Sequence, residues 1–424
     1  MSGWAATIEQ IAKEMHDGNL KPGQLDEKLV TKTYNDLNEA AASGYGKGWT
    51  KFGSDAVNDK QVLLLQQNIF RFSGAKTYTQ LMELNSLLVK DGKQQSWPDF
   101  KADALKVNEK YNVDHLQAEH QTATRATQSV KEFNQFKADV KIFPNVIFRT
   151  AGDKRVRESH RKLEGTIVPV NSAFLDRYMT PLGYRCRCRW VQTAQKATRD
   201  IPDTVEGVSD EFKFNPAKTN QVFNEGTANG AKPMPQFIVA KEGGKQLEAQ
   251  IEAAKLYAPY TPAYKADNGS KVEVSPFADL QDFEPNLKTA KVIADALGID
   301  VKIRPHLNRT LVPGKNPEYE IKGRLADRKG IKSVKGVADA IDNSKSQMMD
   351  KDTNPDQKPY IIVFDLSDIQ NLNLVELKTM LNRKITDTRG KNIHGLIMVN
   401  GKNSVELLRD EIVKRDYAKL DKIQ

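Results

Sequence analysis

Three residues in the last third of the chain have the types and spacing of a metal-dependent phosphodiesterase site. Glu318 stands at the start of one predicted strand, and Asp327 and Lys329 close the next. Residues i and i+2 of a strand point to the same face, so the side chains of Asp327 and Lys329 should project together. Two carboxylates can hold Mg²⁺ against a phosphate, and a neighbouring lysine can stabilise the charge that develops during hydrolysis. We therefore expect Glu318 and Asp327 to be magnesium ligands.

Two more polar residues belong to this candidate catalytic set. Glu284 precedes the first predicted helix of the region, and Gln347 lies on the helix that follows the two strands. An alternative interpretation is that Asp327 and Lys329 form only an exposed ion pair, which would contribute under about 1 kcal/mol to stability.

A second group of residues has the donor types of a zinc site. His160, Cys186 and Cys188, with Asp153 as a further candidate, offer nitrogen, sulfur and oxygen ligands, and the two cysteines are the only ones in the chain. Zn²⁺ prefers sulfur and nitrogen donors in a tetrahedron. The alternative is that the thiols are small buried packing groups and that His160 is hydrogen-bonded to a carboxylate such as that of Asp153. A disulfide within Cys-x-Cys is less favoured because its geometry is strained.

The arginines beside these cysteines alternate with them. On a strand, Arg185, Arg187 and Arg189 would share the face opposite the cysteines and form a basic stripe. Such a stripe would suit DNA phosphates or an acidic patch on a protein partner, and a solvated face with local ion pairs is the alternative. The net charge of +9 over 424 residues also favours acidic partners.

The elements that position these residues divide the chain into four regions. Residues 1–95 should be mostly helical, because apolar residues recur three and four positions apart. Residues 96–200 should form a small α+β unit, in which a long helix over 113–140 precedes short strands. On that helix, His115, Glu119 and His120 are expected to form an exposed polar face rather than a metal site. Residues 201–275 are expected to be a linker with partial order and one helix.

The last region, residues 276–424, should form an α/β domain. Its pattern predicts a helix, three strands, a helix and a strongly apolar strand, followed by a helix, a strand and a closing helix over 405–420. This order favours a mixed sheet covered by helices. The expected fold class is therefore a multidomain α+β protein with a helical N-terminal region and an α/β C-terminal domain.

The run from residue 148 to residue 190 resembles the signature of the Mu F-type phage head morphogenesis proteins. The matching elements are Arg149-Thr150, Asp153, Val156-Arg157, His160, Leu163-Glu164-Gly165, Pro181-Leu182-Gly183-Tyr184 and Cys186-Arg187-Cys188. Glu164 replaces the usual aspartate, and Leu182 stands where a second proline is common. The resemblance implies a minor head protein whose partners are the portal and other head proteins. It also implies a place in the virion, and in the host cytoplasm during assembly.

The last region resembles the PD-(D/E)xK nucleases, whose core has the order αβββαβ. The likeness is closest to the toxin domains of contact-dependent-inhibition proteins, many of which cut tRNA. On that resemblance Glu284 is the helix acid, Glu318 and Asp327 are the two strand acids and Lys329 is the lysine. Glu318 departs from the usual aspartate and lengthens the arm by one methylene. The resemblance implies a Mg²⁺-dependent nuclease acting on tRNA or DNA, with an immunity protein as a partner.

Two functional hypotheses follow. In the first, a phage or prophage head protein carries a C-terminal metal-dependent nuclease of the toxin type. In the second, the chain is a purely structural minor capsid protein whose C-terminal domain is an inactive nuclease fold used for binding. The sequence contains no Walker A loop, dinucleotide glycine fingerprint, Gly-x-Ser-x-Gly elbow or His-Glu-x-x-His motif. We expect no membrane association, because no run approaches the roughly 20 apolar residues that span a bilayer.

Overall fold

The computed structural model describes residues 3–50, 52–53, 56–199, 201, 203–226, 231–386 and 390–423. The chain divides into two compact units, which we call the first unit (residues 1–49 and 61–257) and the second unit (residues 50–60 and 258–424). The fold is a mixed α+β multidomain one with a helical N-terminal region, as the sequence predicts.

The first unit begins with long helices. Their bounds are α1 Trp4–His16, α2 Glu27–Tyr45, α3 Ala56–Leu88, α4 Trp97–Asn108 and α5 Leu116–Ala138, with a two-stranded hairpin of β1 Val89–Lys90 and β2 Lys93–Gln94 between α3 and α4. Side chains fix two of the starts, because Asp26 and Ser96 accept hydrogen bonds from backbone N–H groups in the first turns of α2 and α4. A π-helical turn over Glu109–His115 joins α4 to α5.

Helices α2 and α5 approach each other closely at Gly44. The hydroxyl of Thr127 on α5 donates a hydrogen bond to the carbonyl of Ala41 at 2.8 Å. A Cβ atom added to Gly44 would overlap the carbonyl oxygen of Thr124 and lie 2.5 Å from Thr127 Oγ1. Only glycine therefore permits this spacing of the two backbones.

We predict that Gly44→Ala lowers the free energy of unfolding by about 1–3 kcal/mol, because two helix backbones must move apart. This cost should exceed the gain in helix propensity that alanine brings at an ordinary helical position, about 1 kcal/mol. Urea denaturation measures the difference, and Ser43→Ala, at the exposed neighbouring position, is the control. A Gly44→Ala protein as stable as the control would show that the helices adjust freely.

A small antiparallel sheet follows the helices in the first unit. Its strands are β3 Asn145–Arg149, β4 Ile167–Pro169 and β5 Arg189–Thr193, in the order β4–β3–β5. Two short helices, α6 Glu158–Arg161 and α7 Ala173–Tyr178, lie in the connections. The buried Trp190 ring packs edge-on against Phe148 at 5.0 Å, and its indole N–H donates to the carbonyl of Tyr178 at 3.0 Å. This sheet corresponds to the strands predicted for the small α+β unit.

The interval 201–275, expected to be a partly ordered linker, contributes to the core of the first unit. Phe223 is fully buried and stacks on Phe72 of α3 with ring centres 3.8 Å apart. The side chain of Asn68 accepts hydrogen bonds from the backbone N–H groups of Val222 and Phe223. Regular elements in the interval are α8 Pro216–Thr219, α9 Pro235–Ala240, α10 Gly244–Ala254, β6 Thr261–Lys265 and β7 Lys271–Val274.

The second unit is built on an eight-stranded sheet with the order β13–β12–β11–β10–β9–β8–β7–β6. Its remaining elements are α11 Phe283–Leu297, β8 Val301–Ile303, β9 Tyr319–Ile321, β10 Arg324–Gly330, α12 Gly336–Met348, β11 Tyr360–Asp365, α13 Leu374–Ile385, β12 Ile393–Asn400, β13 Asn403–Leu408 and α14 Arg409–Val413. The elements from α11 to β11 therefore follow in the predicted order of helix, three strands, helix and strand. Strands β10, β11 and β12 are parallel neighbours, and β11 is an almost continuously buried apolar run, as parallel central strands usually are.

The closing helix predicted over 405–420 is wrong in its first half. Residues 403–408 form β13, which pairs with β12 across a tight turn in which Gly401 has a φ of +62°. Val405 and Leu407 are buried whereas Leu408 is exposed, so the segment has the alternation of a strand. A sheet edge that can pair with it is what selects the strand over the helix.

Candidate functional site

The acid and the lysine of β10 lie together in the second unit. The carboxylate of Asp327 is fully buried and accepts a hydrogen bond from the ammonium group of Lys329 at 2.9–3.0 Å. It accepts a second one from the hydroxyl of Ser344 on α12. The two β10 side chains thus project to one face of the sheet, beneath α12.

Glu318 completes this cluster from the segment just before β9. Its Oε2 accepts a hydrogen bond from the backbone N–H of Arg328 at 2.8 Å. Burial, together with the neighbouring charge of Asp327, raises the pKa of Glu318 to about 8. Two neighbouring carboxyl groups that cannot easily both be ionised are common at sites that bind a divalent cation or transfer a proton. We refer to Glu318, Asp327 and Lys329 as the acid–lysine cluster.

A cavity of about 340 Å³ opens beside the acid–lysine cluster and is lined by Glu318 and Gln347. The amide oxygen of Gln347 lies 3.5 Å from Lys329 Nζ. Helix α12 and the strands therefore bring together four of the five candidate catalytic residues, namely Gln347 and the three of the acid–lysine cluster.

Glu284, the fifth candidate, does not line this cavity. It is exposed in the first turn of α11, and the α11 side of the cavity is formed instead by Asp282 and Asn286. Each residue of a helix turns by about 100°, so a side chain two positions away points to a different side. Asn286 is 2 % exposed, and its amide oxygen accepts no hydrogen bond from the described residues. Sequence reasoning missed Asn286, although its spacing from the buried Phe283 and Leu287 placed it on the inner face of α11.

The cavity wall also carries basic side chains that sequence reasoning did not single out. Arg304, His306 and Lys315 are among its lining residues. The guanidinium of Arg304 donates to the carbonyl of Pro317 at 2.9 Å and forms no ion pair with a described carboxylate. A cavity whose wall carries both acids and a guanidinium suits a ligand that combines a divalent cation with phosphate groups. The signal in the sequence was the run Arg304-Pro305-His306 directly after β8.

The zinc candidates form a second cluster, which lies in the first unit. His160 on α6 and the two cysteines before β5 are all buried, and their donor atoms lie within 4.8 Å of one another. His160 Nδ1 is 3.8 Å from the sulfur of Cys186 and 3.5 Å from that of Cys188. A hydrogen bond from Cys188 holds the pKa of the Cys186 thiol well below its usual range and raises that of Cys188. We call these three residues the His–Cys cluster.

Asp153 does not lie among these donors. Its two carboxylate oxygens accept hydrogen bonds from the guanidinium of Arg187, both at 2.6 Å. That contact holds the pKa of Asp153 well below its usual range. The structure therefore assigns Asp153 to an ion pair with Arg187 and not to His160.

The strand that was expected to carry the basic stripe begins only at its last arginine. The alternation of arginines and cysteines on opposite strand faces therefore does not apply. Strand β5 begins at Arg189, and the residues from Arg185 to Cys188 form an irregular segment in which Arg185 has a φ of +60°. Both cysteines consequently face His160, Arg187 faces Asp153, and Arg185 reaches the side chain of Gln117 at 3.5 Å. A partner for these arginines thus stays a prediction, without support from a shared strand face.

Comparison with known proteins identifies the region around the His–Cys cluster. Residues 90–191 match the family described as Phage Mu protein F like protein, and this segment includes α4, α5 and the whole cluster. Over this segment the chain is therefore similar to Mu F-like phage proteins. No curated protein and no solved structure matches the chain. Among the described residues, no helix is long and apolar enough to cross a membrane.

Proposed function

We propose that the chain is a minor head protein of a phage or prophage, acting at the portal and procapsid, and that its second unit is a metal-dependent nuclease. The family match over residues 90–191 supports the first part. The observation that carries the second part is the acid–lysine cluster, in which Glu318, Asp327 and Lys329 meet beside a cavity whose wall carries both acidic and basic side chains.

The residues of the cluster fit Mg²⁺ and a phosphodiester. Glu318 and Asp327 would hold the ion, since Mg²⁺ prefers carboxylate oxygens. When bound, the ion neutralises phosphate charge and lowers the pKa of a coordinated water. Lys329 would face a phosphate oxygen as negative charge develops there, and Arg304 would hold a flanking phosphate. In the hydrolysis, the water oxygen bonds to phosphorus, the ester P–O bond breaks, and a proton from the water ends on the leaving oxygen.

The element order from α11 to β11 also supports the proposal, because it is the αβββαβ order of the PD-(D/E)xK nucleases. Within it one acid comes from the residue just before β9 and the other from β10, and these two strands are antiparallel neighbours. The additional methylene of Glu318 is compatible with this placement because Glu318 enters from the segment before the strand.

The experiment that tests the enzyme uses the full-length chain with total tRNA and, separately, with plasmid DNA. We expect cleavage of one substrate class in the presence of Mg²⁺ and none in the presence of EDTA. Cleavage of cellular RNA would also imply an immunity protein, because the producing host must be protected from the enzyme.

A binding-only second unit is the second candidate, and one observation favours it. The buried carboxylate of Asp327 already accepts hydrogen bonds from both Lys329 and Ser344. If folded protein cleaves neither substrate in Mg²⁺ or Mn²⁺, the second unit is an inactive fold used for binding.

The head-protein proposal predicts that the chain is part of the assembled particle. Particles of the encoding phage, separated on a density gradient, should contain the chain in both procapsids and filled heads when probed with an antibody. The portal protein is the positive control, and a non-structural phage protein is the negative one. Finding the chain only in the soluble fraction would contradict a place in the head.

A further inference from the structure

The His–Cys cluster brings together three metal-binding side chains from distant parts of the sequence. His160 belongs to the one-turn helix α6, whereas Cys186 and Cys188 lie in the irregular segment that leads into β5. Each of the three residues is at most 5 % exposed. Regular backbone pairing does not hold these two segments together, so the side chains must do so.

The distances between the donors are those of one tetrahedral ion. With Zn–S bonds of about 2.3 Å and Zn–N bonds of about 2.05 Å, a sulfur and a nitrogen of a tetrahedral site lie about 3.6 Å apart. The two separations in the structure are 3.8 Å from His160 Nδ1 to Cys186 Sγ and 3.5 Å to Cys188 Sγ. Both nitrogen–sulfur separations thus already match those of a tetrahedral ion, and all three donor atoms lie within 4.8 Å of one another.

The groups around the cluster orient these donors toward a common point. His160 Nε2 lies 3.3 Å from the carbonyl oxygen of Leu182, which can only accept, so Nε2 carries the proton. The lone pair of Nδ1 is consequently directed at the two sulfurs. Such an outer contact fixes the tautomer of a ligand histidine.

We propose that His160 Nδ1 and the thiolates of Cys186 and Cys188 bind one Zn²⁺ ion in the first unit. Binding releases to solvent whatever thiol protons the two cysteines carry and forms two Zn–S bonds and one Zn–N bond, with water in the fourth position. The ion takes no ligand from Asp153, whose carboxylate is held by Arg187. The ion would tie α6 to the segment before β5.

The test is the metal content of the full-length chain, purified without a metal-affinity tag from cells supplied with zinc. We expect about one zinc ion per chain by elemental analysis, and less than about a tenth of that in Cys186→Ser and Cys188→Ser. His160→Ala should lose the ion, whereas His120→Ala, an exposed histidine on α5, should keep it. Asp327→Asn should also keep it, which separates this site from the acid–lysine cluster.

A spectroscopic measurement on the unmodified chain covers the case in which the variants fail to fold. Protein stripped of zinc and titrated with Co²⁺ should develop thiolate-to-cobalt charge-transfer absorption and the intense visible bands of a tetrahedral ion. Stripping should also lower Tm by about 10 °C, and zinc should restore it. Unmodified protein without zinc, and without the charge-transfer absorption, would overturn the proposal and leave the thiols as packing groups. A mass lower by two hydrogens, showing a disulfide, would overturn it as well.

Discussion

Lys329→Ala is expected to reduce Mg²⁺-dependent cleavage by about 10²–10³-fold, the usual effect of removing one group that stabilises transition-state charge. The reason lies in the position of Lys329, whose ammonium group is 2.9 Å from the Asp327 carboxylate and 3.5 Å from the amide oxygen of Gln347, which lines the cavity. The initial rate of cleavage of whichever nucleic acid the unmodified chain cuts is the measurement. Lys332→Ala, at an exposed lysine three residues later in the chain, should leave the rate unchanged.

This result needs a control for folding, because removing Lys329 leaves a buried carboxylate without its cation. Asp327→Asn preserves the shape of the side chain and can still bond to Ser344, and it should abolish cleavage while retaining most of the stability. Thermal unfolding of each variant shows whether it is folded. Folded Lys329→Ala protein with an undiminished rate would exclude Lys329 from the catalytic machinery.

The second large effect is expected at a buried ion pair in the first unit. Lys76 on α3 and Glu119 on α5 are 1 % and 2 % exposed, and the Lys76 ammonium group donates to the Glu119 carboxylate and to the carbonyl of Tyr111. Burial lowers the pKa of Lys76, which shows how strongly its charge depends on these contacts. We predict that Lys76→Met lowers the free energy of unfolding by about 3–5 kcal/mol, because the Glu119 charge remains buried without its partner.

Urea denaturation measures this change in the transition of the first unit. The matched control is Lys101→Met, which breaks the exposed pair with Glu9 and should cost less than about 1 kcal/mol. The double variant Lys76→Met with Glu119→Leu should recover part of the loss, since both buried charges are removed. A Lys76→Met protein as stable as the Lys101→Met protein would show that water reaches the pair.

Glu119 also shows where local patterns stop being informative. The expectation that His115, Glu119 and His120 form an exposed polar face is wrong for Glu119, although the two histidines are exposed. From local sequence alone, a carboxylate on a predicted polar helix face is expected to be solvated, because the basic residue that pairs with it in the folded chain is not known. Here that cation lies 43 residues earlier in the chain, on α3.

The same cause explains the differences at both candidate sites. Glu284 and Asn286 lie two residues apart in the same helix. Only the packing of α11 on its sheet decides which of them reaches the cavity. In the sequence, Asp153 is a candidate partner for His160, and the tertiary structure places it on Arg187 instead. Similarly, the sequence from Val405 to Leu408 is compatible with a helix as well as with a strand. The edge of β12, with which it pairs, selects the strand.

The sequence by itself determined the features that depend on neighbours a few residues away. These include the strand placement that projects Asp327 and Lys329 to one face and the order of elements from α11 to β11. It also marked His160, Cys186 and Cys188 as chemically distinctive. Only the tertiary structure decided which of these residues meet and which charges are buried, because those properties depend on packing between residues far apart in the chain, which local periodicity does not encode.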